Sequence, residues 1–303
     1  MLRDHDNKRS TISTLNPQHS QHSQHSQQYM KTILVPTDFS KCANNAMMYA
    51  LEIAERTGLS ITVLYVVYPN EGIDNNIYDA FFVDDYVQQR LDGMKTWAKK
   101  FTRSPHLKDI KVQLECRIGF PVSTITQTAT ELGASLIVMG TTGASGLRGV
   151  LLGSVAGGVI SASKTPVFVV PLKSVFRNKA RFAFATDFKL PVSKMSLQVM
   201  REMLNLQHTG LNIVHVLSEK DKQPDKKHEE ALSEKLGTIP HNFHYLHDKN
   251  VVQAIHNFLE STDCNGLVAV AHEHALLHKL FAKSVSRSLA HHTKVPILVL
   301  HDA

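Results

Sequence analysis

The sequence predicts an α/β fold in two tandem copies, on three observations. Short apolar runs alternate with segments of helical periodicity. The order of motifs returns further along the chain. A glycine-rich stretch follows directly on one apolar run of the first copy.

The first strand covers Thr32–Val35 and ends at Pro36-Thr37-Asp38. A helix over Lys41–Glu55 places Ala43, Ala46, Met47, Ala50, Leu51 and Ala54 on one face, with Gly58 as its stop. Ile61–Val67 is a second strand, and the acidic, aromatic stretch Asn70–Tyr86 is a loop leading into a helix that runs to Phe101. Lys111–Cys116 is a third strand; Gly119 and Pro121 open the helix that ends at Leu132. Leu136–Met139 is the fourth strand, Gly153–Ala162 the following helix, and Thr165–Val170 the fifth strand. Strands separated by helices imply a parallel sheet covered on both faces, with right-handed crossovers.

Between the fourth strand and its helix lie Gly140-Thr-Thr-Gly143, nine residues, and Gly153-Ser154. Glycine lets backbone N–H groups approach a ligand, and a helix N-terminus adds unpaired donors and a dipole favourable to anions. Ser154 adds a hydroxyl, so the chemistry on offer is a cradle for phosphate. The spacing is neither a dinucleotide-binding GxGxxG nor a Gly-Lys-Ser/Thr P-loop.

The repeat is explicit. Ile33–Phe39 returns as Phe182–Phe188, Thr57-Gly-Leu59 as Thr209-Gly-Leu211, Leu152–Val155 as Ala282–Val285, and Lys164-Thr-Pro166 as Lys294-Val-Pro296. The offset shrinks from about 149 to about 130 residues, so the second copy is shorter in its middle. The expected division is a low-complexity tail over 1–29, a first domain over 30–172 and a second over 178–303, with the boundary near Lys173–Lys179. The repeated Gln-His-Ser of the tail has little to bury, so disorder is expected there, and Met30 is a candidate start.

Composition narrows the classes. The 303 residues suit two domains, and 43% hydrophobic with 20% charged residues suits a globular protein. No apolar run approaches the length of a membrane span, and the polar N-terminus lacks a secretory signal's apolar segment. Cys42, Cys116 and Cys264 stand singly, which fits a reducing, cytoplasmic setting. A net charge of +6 without a basic–aromatic block argues against nucleic-acid binding.

These motifs together resemble the universal stress protein family in its tandem two-domain form, from Met30 to Ala303. The resemblance implies two tandem Rossmann-like domains, each an open five-stranded parallel sheet of order 3-2-1-4-5 flanked by helices. It also implies ATP binding where the glycine motif is kept. That order puts the switch point between the first and fourth strands, with Asp38 and Gly140 facing each other across the crevice. By the same resemblance Pro36, Thr37 and Asp38 border the adenosine, Val66 touches the adenine, and Met139 and Gly140 line the ribose side. Gly143, Gly153, Ser154 and Val155 hold the phosphates. Arg148 is a candidate for a terminal phosphate from its charge alone. Magnesium is expected on the triphosphate because hard phosphate oxygens favour it. No metal site or catalytic residue is assigned to the protein itself. Asp38 equally suits a helix-capping role, as does Ser40, and Gly157-Gly158 read as close-packing positions.

The second copy departs from the pattern. Aligned on Ser284 and Pro296, it places Val270, Glu273 and Lys283 where the first has Gly140, Gly143 and Gly153. That contrast assigns the glycines to ligand more than to fold, and ATP is not expected in the second domain. His274 and His278 share one helical face, but Leu276 breaks the HExxH pattern begun by His272-Glu273; solvated histidines are the plainer reading. Lys279 and Lys283 offer a cationic alternative for an anion. The leading expectation is a stress-response regulatory protein that binds an adenine nucleotide in its first domain. A slow ATPase and a ligand-free scaffold are the alternatives. The apolar strands Val167–Val170 and Ile297–Leu300 suit an internal pseudo-dimer through the last strands, with a further homodimer open.

Overall fold

In the computed structural model the described residues are 32–69, 80–101, 107, 109–143, 152–188, 194–207, 210–217, 226–271 and 295–301. The low-complexity tail, Arg148 and the stretch holding Glu273, His274, His278, Lys279, Lys283 and Ser284 lie outside them.

The first half runs β1 (Thr32–Thr37), α1 (Lys41–Thr57), β2 (Ser60–Val67), α2 (Ala80–Ala98), β3 (Val112–Ile118), α3 (Pro121–Glu131), β4 (Leu136–Gly140), α4 (Ser154–Ala162) and β5 (Val167–Val170). The second half runs β6 (Arg181–Ala185), α5 (Lys194–Gln207), β7 (Leu211–Leu217), α6 (Lys226–Leu236), β8 (His241–His247), α7 (Val251–Ser261), β9 (Cys264–Val270) and β10 (Ile297–Leu300). One ten-stranded sheet holds all of them in the order β3-β2-β1-β4-β5-β10-β9-β6-β7-β8. Each half therefore has the expected 3-2-1-4-5 order, parallel throughout.

The halves meet where β5 and β10 pair antiparallel, Val167 opposite Val299, Phe168 opposite Leu298 and Val169 opposite Ile297. The register is symmetric about Phe168 and Leu298, both buried. Each half also anchors the residue after its last strand by the same device. Asn45 of α1 donates to the Pro171 carbonyl (2.8 Å), and Ser196 of α5 donates to the His301 carbonyl (2.7 Å). His301 then crosses between halves, its Nε2 bonding to the Ile160 carbonyl of α4 (2.8 Å).

Alternation along the strands divides the core into two layers. One face buries Ile33, Val35, Leu136 and Val138 with α1, and Phe182 and Phe184 with α5. The other buries Leu34, Ile137 and Met139 with α3 and α4, and Ala183 and Leu267 with α7. Both layers run through the β5–β10 seam without a break.

Several boundaries shift from the sequence expectation. β1 continues through Pro36 to Thr37, because pairing with β2 persists to Tyr65. Helix α2 begins at Ala80 and ends at Ala98, so the second part of the expected Asn70–Tyr86 loop is helical. There the continuous apolar run Ala80–Val83 conceals the helical period, and the burial of Met94, Trp97 and Ala98 fixes the helix against the sheet. The Thr-Gly-Leu correspondence is also out of register. Leu211 pairs with Phe182 as Ile61 pairs with Ile33, so Leu211 matches Ile61 and not Leu59. Gly58 is the left-handed cap of α1 (φ +70°), a position that favours glycine, and its N–H bonds the Ala54 carbonyl. Among the described residues no helix is long and apolar enough to cross a membrane, and none of the three cysteines forms a disulfide.

Candidate functional site

A crevice opens where β1 and β4 part. β1 pairs with β2 along its whole length but with β4 only at Ile33 and Leu34. Pro36 lacks an N–H to donate, and beyond Leu34 nothing draws the two strands together. The chain then turns into α1 through three local hydrogen bonds. Thr37 Oγ1 accepts from Phe39 N–H (3.1 Å), Asp38 Oδ1 from Ser40 N–H (3.0 Å), and Ser40 Oγ from Ala43 N–H (3.1 Å). Of the two capping candidates Ser40 therefore caps α1, which leaves Asp38 on the wall of the crevice. Phe39 takes φ +61°, an uncommon state for a bulky residue, held by this turn and by stacking on Tyr65 (5.0 Å between ring centres).

The opposite wall is the end of β4 and the start of α4. Thr141 N–H donates to the Val170 carbonyl (3.1 Å), and the Thr141 carbonyl accepts from Gly153 N–H (2.7 Å), so both ends of the glycine loop are stitched to the sheet. Gly153 is the N-cap of α4 and has no side chain with which to cap it. The first-turn N–H groups of α4 thus keep their donors and the helix dipole toward the crevice. Ser154, Val155 and Ala156 line it there.

A Cβ placed on each glycine shows what each is for. At Gly140 it would lie 2.9 Å from Cys42 Sγ and 3.0 Å from the Cys42 carbonyl carbon, so this glycine lets α1 approach β4. The expectation that the motif glycines serve ligand more than fold is corrected at this position. At Gly143 a Cβ would meet Asp38 Oδ2 at 2.7 Å, the far end of a flexible side chain, so a larger residue here would turn the Asp38 carboxylate aside. At Gly153 the nearest atoms stand 3.5–3.8 Å away, ordinary contact, and packing makes no demand for glycine. Gly158 touches Val122 of α3, where a Cβ would come within 2.6 Å of a methyl carbon, in keeping with close packing.

Pro36, Thr37, Asp38, Val66, Met139, Gly140, Gly143, Gly153, Ser154 and Val155 all line one cavity of about 570 Å³. Arg148 alone of the expected set lies outside the described residues. The cavity also takes in residues the sequence motifs do not mark, among them Phe39, Tyr65, Tyr68 and Arg90. Arg90 sits over the Tyr86 ring at 4.7 Å and the Tyr65 ring at 5.7 Å, and donates to the Tyr86 hydroxyl. The available signal was the Tyr86–Arg90 spacing of four on one helix, which becomes visible only once α2 is known to reach back to Ala80. Asp38 is the one carboxylate and Arg90 the one cationic side chain among the described residues lining the cavity.

The second half keeps the turn and changes the walls. Thr186 Oγ1 accepts from Phe188 N–H (3.0 Å), and Phe188 repeats the positive φ at +63°. Val270 stands opposite Leu300 as Gly140 stands opposite Val170, so a buried valine occupies the Gly140 position. His215, with Nδ1 on the Thr186 carbonyl (2.7 Å), stands where the first half has Tyr65. Among the described residues no group of three or more His, Cys, Asp or Glu side chains would hold a metal ion.

An open, doubly wound sheet with a crevice at its switch point, walled by a helix start, defines a class of α/β domains that present backbone donors above the strand ends. This chain carries that domain twice over. It belongs to the universal stress protein family, which matches residues 30–171 and 193–301. A universal stress protein of Methanocaldococcus jannaschii is 34% identical over 147 residues, 46% of this chain and 81% of that protein. A second universal stress protein of that organism is 28% identical over 156 residues, 48% of this chain and 96% of its own length. The crystal structure of a universal stress protein from Archaeoglobus fulgidus covers 90% of this chain and 96% of its own with a TM-score of 0.65, at 23% identity, a likeness of fold.

Proposed function

We propose that this chain is a stress-response regulatory protein that binds ATP in the crevice of its first half and does not bind it in the same manner in its second. The observation that carries the reading is the α4 N-terminus: its N-cap is a glycine without a capping side chain, at the wall of a cavity of about 570 Å³. That volume lies in the range of small-molecule sites. The phosphates go to Gly143, Gly153, Ser154 and Val155, at the start of α4 that no side chain caps. Thr37, Asp38, Met139 and Gly140 flank the ribose, and Val66 with the apolar wall of Pro121 and Ile125 takes the base.

A magnesium ion on the triphosphate fits this donor set in one way only. With Asp38 the single carboxylate of the described lining, its oxygens come chiefly from phosphate and water, the usual arrangement for this ion. We assign binding without efficient turnover, since hydrolysis requires a group that orients water beside the γ-phosphate. The β5–β10 pairing supports reading the second half as a built-in partner, an internal pseudo-dimer.

Mass spectrometry of small molecules released from the denatured, purified protein tests the reading directly. The expected result is adenine nucleotide, together with an ATP-dependent rise in melting temperature. No nucleotide and no rise would remove ATP binding from the account.

A further inference from the structure

The apolar wall of the crevice continues past the end of β2 into two rings that the core does not use. Leu64 and Val66 face the layer that holds Ile125 and Met139, whereas Tyr65 and Val67 face the other. Tyr68, two residues after Val66, belongs by the strand period to the side of Val66. It lines the cavity together with Val66, Pro121, Ile125 and Met139. The chain returns to the same point from β3. Gly119 N–H donates to the Val67 carbonyl (2.9 Å), and Phe120 directly precedes Pro121 at the start of α3. There the Phe120 and Tyr68 rings meet at right angles, with centres 5.3 Å apart and planes at 88°.

Both rings are exposed, Tyr68 to 45% and Phe120 to 61%, and neither belongs to either core layer. Packing of the fold therefore does not account for two large aromatic side chains set side by side at a cavity. A ring in such a place has a use, because every nucleobase offers a π-face on which an aromatic side chain can stack. The edge contact from Phe120 holds the Tyr68 ring plane before any ligand arrives, which lowers the ordering cost of binding. Tyr68 follows β2, and the phosphate-binding loop and the α4 start follow β4, with β1 between those two strands. Ring and helix start thus serve different parts of one ligand. The second half keeps the backbone stitch, Asp248 N–H to the Leu217 carbonyl (3.2 Å), without the rings. Ser218 follows Leu217 there, and Lys249 and Asn250 follow Asp248.

We propose that Tyr68 stacks on the nucleobase in this crevice and that Phe120 is a positioning residue acting through it. The proposal rests on the adenine-nucleotide reading above and names the side chain that completes its base site. Val66, Pro121 and Ile125 contact the base as aliphatic groups, and Tyr68 supplies the aromatic face that they lack.

Isothermal titration of the full chain with ATP tests it, using Tyr68→Phe, Tyr68→Leu, Tyr68→Trp and Phe120→Ala. Tyr68→Phe keeps the π-face and should bind as the wild type does. Tyr68→Leu keeps apolar bulk without a π-face and should lose about tenfold in affinity, the scale of one base–aromatic stack. Its ligand-free melting temperature should stay within about 2 °C of the wild type, as for exposed sites, which separates stacking from bracing. Phe120→Ala should lose about threefold, the scale of an edge contact between rings. Tyr68→Trp adds an indole to the single Trp97 of the chain. Saturating ATP should quench the added emission with a midpoint at the calorimetric Kd, the wild-type response giving the share of Trp97. Wild-type affinity in Tyr68→Leu, or emission of Tyr68→Trp that ATP leaves unchanged, would overturn the proposal while ATP binding stands. Should Tyr68→Leu fail to fold, quenching in Tyr68→Trp decides the matter. If the wild type binds no ATP, the adenine-nucleotide reading itself fails and the inference goes with it.

Discussion

The crevice above β1 and β4 and its counterpart above β6 and β9 begin from the same turn. Thr37 and Thr186 make the same hydrogen bond, and Phe39 and Phe188 take nearly the same positive φ. What differs is the material around the turn: Gly140 against Val270, Tyr65 against His215. The comparison teaches that the turn belongs to the fold and persists without the glycines beside it. Substitutions that carry second-half residues into the first half separate what folding requires from what a ligand requires.

One of the two largest expected effects is that of Gly143→Glu, which copies Glu273. It sets a second carboxylate beside Asp38 and against the proposed phosphates, and opposed like charges cost several kcal/mol, a loss of roughly hundredfold or more in ATP affinity. Titration calorimetry reads it, and undiminished affinity would break the comparison at its central residue. Gly153→Lys, after Lys283, sharpens it differently. With only ordinary contacts around its Cβ, the substitution should leave the ligand-free melting temperature within about 2 °C, as for exposed sites, while the added side chain abolishes binding. Retained ATP affinity would show that phosphate does not lie at Gly153.

Gly140→Val should do the reverse and act on the fold. The valine Cβ meets both Cys42 Sγ and the Cys42 backbone, so overpacking of about 2 kcal/mol is expected, seen as a lower denaturation midpoint. Cys42→Ala should relieve only part of it, because the backbone contact remains. A stable Gly140→Val protein would return this glycine to the ligand's account.

The smallest effects lie at the two sheet edges, and their signs differ. On β3, hydrogen bonding from Arg117 holds the Glu131 carboxyl below its ordinary range. Its contribution is present above about pH 4.5 and lost as pH falls through the depressed value. On β8, burial and then the neighbouring Glu229 raise the Tyr245 phenol above its ordinary value. That contribution is present below about pH 10 and lost as pH rises through the raised value. Melting curves should show a wild-type advantage over Glu131→Gln at pH 7 that narrows as the pH falls below about 4.5. The advantage over Tyr245→Phe should instead shrink only above pH 10.

Much of this was legible from local chemistry. The alternation of strand and helix and the glycine stretch at a strand end follow from short-range signals, whereas the strand order and the ten lining residues came through the family resemblance that those motifs carry. Arg90 was not legible, because its place in the lining depends on α2 crossing over β2 and on rings from three separate elements. Gly140 was legible as a glycine but not in its purpose, since Cys42 touches it from a helix nearly a hundred residues earlier in the chain. The Thr-Gly-Leu match misled because three common residues recur by chance, whereas strand register is fixed by which residues face the core.

The seam between Phe168 and Leu298 has a consequence for mass action. Two separate chains meeting through such strands would dissociate on dilution, and their stability would follow protein concentration. Here residues 171–180 tether one face to the other, so the encounter is intramolecular and its effective concentration, about millimolar for a short linker, does not change when the protein is scarce. Neither half has to recognise a stranger. Each can diverge residue by residue so long as four-residue strands still meet in register.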